Sequence, residues 1–401
     1  MQLSLHNEVK RILLFLLITC TCGVNLLHGQ RKQGQARIDS LLEELPNAKE
    51  DTNKVKLLAG LCYDYFSIDP DQGIRYGKEG LALAEKLQWK TGVTLVNGNI
   101  GINYAVRSEY ASAREYFLKA LEGYTESGNK RRIALVLGNI GNIYAAQADY
   151  PRALEYHIRA LAMNEEVGSK AGIGINLGNI GLVYKNLDDY PLALEYFSRA
   201  LKTNEELGNK NNMANNLASI GIVYYMQLDY QPALDNYFKA LGLYEEIGAK
   251  DGMAKSLSYI GNVYANQLDY PRAIEYLFKS LEIYKEMGNK IGMGSSLGNI
   301  GRVYLYIAKD SNNHHQLDKL FGGNKMTALQ QAKLYVDSAI VIENESGILN
   351  NLAESYRILG EIQSLLGDYK GAYDAHKLYK ELSDSTFNIE KDKKITTVVK
   401  Y

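Results

Sequence analysis

One phrase, Ile-Gly-x-x-Tyr, recurs six times at a spacing of 40 residues. It reads Ile100-Gly101 with Tyr104, Ile140-Gly141 with Tyr144, Ile180-Gly181 with Tyr184, Ile220-Gly221 with Tyr224, Ile260-Gly261 with Tyr264, and Ile300-Gly301 with Tyr304. A fixed period of this size marks stacked supersecondary units that share a continuous core. It moves the functional question from a catalytic pocket to a surface. Hydrophobic residues make up 46% of the chain, enough to fill such a core. The net charge of −1 lacks the basic excess of a nucleic-acid footprint.

The second copy shows how one unit is built. Ile133, Leu137, Ile140 and Tyr144 are spaced three to four residues apart and form one helical face. Gly141 lies on that face, where a missing side chain admits a second helix. Asp149-Tyr150-Pro151 ends the first helix and starts the next, since proline at a first helical position loses only an N–H that has no partner there. Ala153, His157, Ala160 and Leu161 form the second packing stripe, and Gly168 supplies a left-handed stop. Pro191 and Pro271 repeat the start; Gly128, Gly208, Gly248 and Gly288 repeat the stop. The pattern predicts an all-α chain of antiparallel helix pairs.

Leu137-x-x-Ile140-Gly141-x-x-Tyr144, followed by Ala153-x-x-x-His157 and Ala160, resembles the W-x-x-L-G-x-x-Y…A-x-x-x-F pattern of tetratricopeptide repeats. Leu stands for Trp, the closing Pro is missing, and the unit has 40 residues instead of 34, as in the subtype of kinesin light chains and many bacterial signalling proteins. The resemblance implies a right-handed superhelical solenoid of about eight helix pairs over residues 53–386, with strong copies at 93–308. Residues 53–92 read as a degenerate cap with Gly73 and Gly80 at the alanine positions, and Gly360, Asp368-Tyr369 and Ala372 mark a last unit. After Ala308 the expected alanine arrives only at Ala332, an insertion of 19 residues placed at about 309–329. A short amphipathic segment, Ile38 to Leu45 within 30–52, precedes the array, and a polar tail occupies 387–401.

The first residues differ from the rest. Lys10 and Arg11 precede the apolar run from Ile12 to Thr19, which weakens towards Leu27, and Gly29 stands before Gln30. This order reads as a secretory signal over residues 1–29. The run is too short and too interrupted for a comfortable membrane span. Export, to the bacterial periplasm, is the expectation; a membrane-anchored form is the alternative.

Catalytic chemistry has nothing to hold: no phosphate-binding glycine loop, zinc spacing or nucleophile motif is present. No enzyme activity, cofactor or metal is therefore expected. Glu115, Glu155, Glu195, Asp235 and Glu275 recur once per repeat and read as a solvated column. His314-His315 with Asp318 lies in the polar insertion, where adjacent histidines rarely make a metal site. His157 fills a slot held by Phe117, Phe197, Tyr237 and Leu277 elsewhere, so it reads as a core residue, as does Cys62. The repeated glycines and tyrosines are structural: Gly101, Gly141, Gly181, Gly221, Gly261 and Gly301 for close approach; Tyr104, Tyr144, Tyr184, Tyr224, Tyr264 and Tyr304 for buried area. Asn99, Asn139, Asn179 and Asn299 sit mid-helix, where asparagine is unfavourable, and bonding to the neighbouring repeat is the expected reason.

In the tetratricopeptide family the first helix of each pair lines a concave groove. Carried onto this register, the lining comprises Leu95 and Ile102; Leu135 and Asn142; Ile175, Leu182, Lys185 and Asn186; Asn215, Ile222, Tyr225 and Met226; Lys255, Asn262 and Asn266; and Arg302 and Tyr306. The early positions are aliphatic and the late ones offer amides, Lys and Arg, which suits an amphipathic helix or an extended peptide with an acidic end. Packing between repeats is the other reading of the aliphatic part. The clamp that holds chaperone tails in this family is absent, because Gly98, Gly138, Gly178 and Gly298 take those positions.

The order of signal, cap and repeats resembles the extracytoplasmic sensor region of bacterial receptors that end in a histidine kinase or cyclase, without the output domain. The leading expectation is an exported, non-enzymatic scaffold that binds a protein or peptide partner and no nucleic acid, acting as a sensory or adaptor module with a possible membrane-associated signalling partner. One alternative is a truncated receptor sensor. Another is a helical-toroid hydrolase, which needs two groove carboxylates where the lining has none.

Overall fold

The computed structural model describes residues 27–310, 321–346 and 349–398. Most of the expected signal, the His314-His315-Asp318 cluster and the last three residues of the expected tail lie outside them. Seventeen α-helices and no strand occur among the described residues. The helix α1 (Leu27–Glu44) is followed by α2 (Thr52–Asp64) and α3 (Pro70–Lys86). Helices of unequal length then give way to strict repetition: α4 (Lys90–Val106), α5 (Tyr110–Glu126), α6 (Lys130–Ala146), α7 (Tyr150–Glu166), α8 (Lys170–Asn186) and α9 (Tyr190–Glu206) complete one compact unit. A second unit begins at Gly208 and holds α10 (Lys210–Met226), α11 (Tyr230–Glu246), α12 (Lys250–Asn266), α13 (Tyr270–Met287), α14 (Lys290–Lys309), α15 (Lys325–Ser346), α16 (Leu349–Leu366) and α17 (Tyr369–Val398). Within each unit, consecutive helices pack as pairs. No helix among the described residues is long and apolar enough to cross a membrane.

The turns follow from capping chemistry. Between pairs, Gly128, Gly168, Gly208, Gly248 and Gly288 take φ of 64–66°, as their lack of a side chain allows. Within pairs the same left-handed turn is made without glycine, at Ser108, Ala148, Asp188, Leu228 and Leu268, with φ of 56–62°. Asn129, Ser169, Asn209 and Asn289 cap the following helices through side-chain oxygens, as do Asp149, Asp189 and Asp269. Such caps are each worth about 1 kcal/mol.

Pairing is set at one crossing point per repeat. A Cβ built on Gly101, Gly141, Gly181, Gly221, Gly261 or Gly301 would come within 2.5–2.8 Å of Phe117, His157, Phe197, Tyr237, Leu277 or Val336. One turn away Tyr104, Tyr144, Tyr184, Tyr264 and Tyr304 stack on Tyr116, Tyr156, Tyr196, Tyr276 and Tyr335, with ring centroids 5.4–5.6 Å apart. Tyr224 lacks this stack because Asn236 stands in the partner slot and turns its amide to Pro232 O. The alanines at 113, 153, 193, 233, 273 and 332 are fully buried. Cys62 is buried too, and desolvation pushes its thiol up to about 12.

An ion-pair ladder repeats the register on the surface. Lys170, Lys210 and Lys250 reach Glu206, Glu246 and Glu286, each 36 residues ahead. Lys290 instead reaches Glu345, an offset of 55, so the pairing geometry resumes after the 19 extra residues. These pairs are exposed and contribute at most about 1 kcal/mol each; they report register more than stability.

Two stability predictions follow from this packing. In Gly181→Ala the new methyl would sit 2.8 Å from the buried ring of Phe197, whereas in Gly138→Ala it meets only Asn176 Oδ1 at 3.5 Å. Overpacking costs about 1–3 kcal/mol and alanine gains about 1 kcal/mol in a helix interior. Thermal melts should therefore show Gly138→Ala above and Gly181→Ala below the wild type; equal midpoints would contradict the crossing geometry. The second concerns His157, 1% exposed, whose imidazole is held down to about 4 by desolvation, partly offset by a bond to Asn176. The unfolded chain protonates His157 below about pH 6.5 while the folded chain does not, so stability is undiminished above that pH and falls towards pH 4 by up to about 3 kcal/mol. His157→Phe, the residue its neighbours use, should flatten this part of the denaturation profile relative to wild type.

Candidate functional site

The faces of α4, α6 and α8 opposite the crossing glycines are where the first unit presents side chains outward. Positions three to four residues apart share a helical face, which aligns Leu95, Asn99 and Ile102; Leu135, Asn139 and Asn142; Ile175, Asn179 and Leu182. Leu95 and Ile102 are half-buried, while Leu135 and Ile175 are 51% and 53% exposed and Asn142, Leu182 and Asn186 are exposed. Lys185 is half-buried, and burial lowers its ammonium pKa.

The asparagine column divides. Asn99 Nδ2 donates to Ala59 O on α2 at 2.8 Å, the bond to a neighbouring repeat expected from the sequence. Asn139 and Asn179 make no such bond: both are half-exposed, and neither side chain has a hydrogen-bond partner among the described residues. Asn299 accepts from Arg302 Nη2 on its own helix at 2.8 Å. Two amides between exposed leucine and isoleucine are thus available to an external ligand.

At the start of this face lies a depression of about 440 Å³, within the size range of ligand sites. Of the expected lining, Leu95, Ile102 and Leu135 meet there, joined by Asn99 and Asn139. Arg37 of α1, Lys56 and Tyr63 of α2, and Arg132 of α6 are among its other lining residues. Arg37 is tied to Asp64 at 3.0 Å, and burial raises the pKa of that carboxyl against the pull of Arg37. None of these four residues was expected from the sequence, because the carried-over register covers only the window around the repeat glycine. Arg132 precedes Asn139 by two helical turns, a signal the 3.6-residue period could have supplied.

In the second unit the expected positions lie on α10, α12 and α14, but their polar groups are already engaged. Tyr244 donates to Asn215 at 2.6 Å, and Asn266 donates to Tyr225 Oη at 2.7 Å. Arg302 donates to Asn262 at 3.1 Å as well as to Asn299, and Lys255 pairs with Asp251 at 2.6 Å. The amides, Lys and Arg expected at this end are therefore engaged in bonds within the protein. Met226 remains exposed, and Ile222 and Tyr306 are half-buried. The repeated carboxylates are solvated: Glu115, Glu155, Glu195 and Glu275 each meet a cation four residues on, and Asp235 accepts from Gln231. No group of three or more His, Cys, Asp or Glu that could hold a metal occurs among the described residues.

The tetratricopeptide repeat model matches residues 92–166 and 173–246. These residues are tetratricopeptide repeats. The match spans α5 to α7 and α9 to α11 in full and nearly all of α4 and α8, so Asn139 and Asn179 belong to tetratricopeptide first helices. The apo quorum sensor NprR from B. thuringiensis has 18% identity, covering 94% of this chain and 99% of that one at a TM-score of 0.59. A Rap protein complexed with competence and sporulation factor has 16% identity over 86% and 96%, at 0.51. A STAND signal transduction ATPase with a tetratricopeptide repeat sensor, from Pyrococcus horikoshii, has 14% identity over 88% of this chain and 53% of that one, at 0.59. At these identities the likeness is one of fold. A comparison with curated proteins finds no match.

Proposed function

We propose that the tetratricopeptide repeats of the first unit bind an extended peptide or a protein segment along α4, α6 and α8. The observation that carries this reading is the pair of unpartnered amides, Asn139 and Asn179, set between exposed Leu135, Ile175 and Leu182. An extended peptide needs donors and acceptors for its backbone and apolar surface for alternate side chains, and this face offers both. The fold shared with a quorum sensor and with a Rap protein complexed with a factor agrees with it. No catalytic step is assigned: the protein works as a scaffold that reports or bridges its ligand. The secretory pattern of residues 1–29 supports export, so that the protein acts as an exported adaptor or as the sensor part of a signalling receptor.

Random nonapeptides displayed on phage and selected against the full chain supply the probe. Each amide that loses its bonds to a peptide backbone costs about 1 kcal/mol, so Asn139→Ala with Asn179→Ala should weaken a selected peptide by roughly 30-fold. Circular dichroism should be unchanged, because neither side chain bonds to protein. Unaltered affinity in the double variant would remove the groove reading.

A further inference from the structure

In the pairs from α4 to α9 the acidic residues, though not the basic ones, are segregated by helix. The first helices α4, α6 and α8 contain no Asp or Glu, whereas their partners α5, α7 and α9 carry Glu115, Glu122 and Glu126; Glu155, Glu165 and Glu166; Glu195, Glu205 and Glu206. The first helices are not merely neutral. They hold Lys90, Lys130, Arg131, Arg132, Lys170 and Lys185. Lys90, Lys130 and Lys170, at the helix starts, are neutralised by Glu126, Glu166 and Glu206. Arg132 and Lys185 have no carboxylate within ion-pair distance among the described residues, and neither has Lys56 on α2.

These unpaired cations border the surface already described. Lys56 and Arg132 line the 440 Å³ depression together with Arg37, and no carboxylate lines it. Arg37 is compensated by Asp64, which leaves Lys56, whose ammonium lies 5.9 Å from the centre of the Trp89 ring, and Arg132 without a carboxylate in the depression they line with Leu95, Ile102 and Leu135. Lys185 stands next to exposed Leu182 and Asn186 and is half-buried, so its ammonium has lost hydration without gaining a partner. A groove with aliphatic walls, free amides and one sign of charge selects a ligand of complementary composition.

We propose that the peptide taken by this groove is acidic, with carboxylates received by Lys56 and Arg132 at the depression and by Lys185 farther along, between apolar residues that meet Leu135, Ile175 and Leu182. The proposal rests on the peptide-groove reading and adds the chemical class of the ligand. Lys56 and Arg132 are not at the glycine-occupied positions of the family's tail clamp, so a terminal carboxylate and acidic side chains are both acceptable sources of the charge.

The test uses the nonapeptides selected against the full chain at low salt. Fluorescence anisotropy then compares the best binder with an analogue in which Asp and Glu become Asn and Gln, and with one amidated at its C-terminus. Selected peptides should combine Leu or Ile with Asp or Glu, and one of the two neutralised analogues should bind about tenfold more weakly, as expected for loss of a charge-assisted contact. The analogue that weakens identifies the source of the carboxylate. With Lys56→Gln, Arg132→Gln and Lys185→Gln combined, the acidic and neutralised peptides should bind alike, while the neutralised peptide binds as it does to wild type. Selection of basic or uncharged peptides, or equal binding of all analogues, overturns the charge assignment; if Asn139→Ala with Asn179→Ala still weakens that binding, the groove itself stands. Failure to select any peptide removes both.

Discussion

The approach of a bare glycine on each first helix to a bulky side chain on its partner is the constraint from which the rest follows. With Phe197 already against the backbone at Gly181, no side chain fits between the two helices. This fixes their separation, and it fixes which face of each helix turns inward. The tyrosine one turn later is then placed over a second ring on the partner helix, and the isoleucine before the glycine is buried. The slot opposite the glycine holds Phe, His, Tyr, Leu or Val in different repeats, and in each it stands too close to the glycine to admit a Cβ without a shift.

Because the invariant letters are used up in holding pairs together, the opposite face is free to vary. In the first unit it varies towards exposed aliphatics, free amides and cations. In the second, the same positions turn their polar groups on one another: Arg302 serves Asn262 and Asn299, and Asn266 serves Tyr225. A polar group already bonded inside the protein gains little from a ligand, since one hydrogen bond only replaces another. Candidate binding capacity therefore concentrates where amides lack partners, not where polar residues are most numerous.

Most of the fold was legible in the sequence, because period, proline and glycine each report a local backbone requirement. Gly168 announces a left-handed turn; Pro151 announces a helix start. The turn within each pair was not legible, since Ser108 and Leu228 adopt the same left-handed conformation with side chains that ordinarily avoid it. The core role of His157 could be read from its neighbours in the column. The site was legible only in outline. Register placed Leu135 and Leu182 on the outward face, but no spacing rule separates Asn99, bonded to Ala59, from Asn139, bonded to nothing. Nor does it bring Arg37 and Lys56 beside Arg132, which depends on how α1 and α2 lie against α4 and α6.

The claim that the first helices form the binding face is tested most directly by site-specific photo-crosslinking in the native host. The photoreactive residue would replace Leu135 or Ile175 on the first helices, or Leu118 or Ile158 on the second helices, which are 43% and 48% exposed and so nearly as accessible. The account predicts a discrete cross-linked partner from Leu135 and Ile175 and none from Leu118 and Ile158. The same partner captured from both faces, or from the second helices alone, would contradict it.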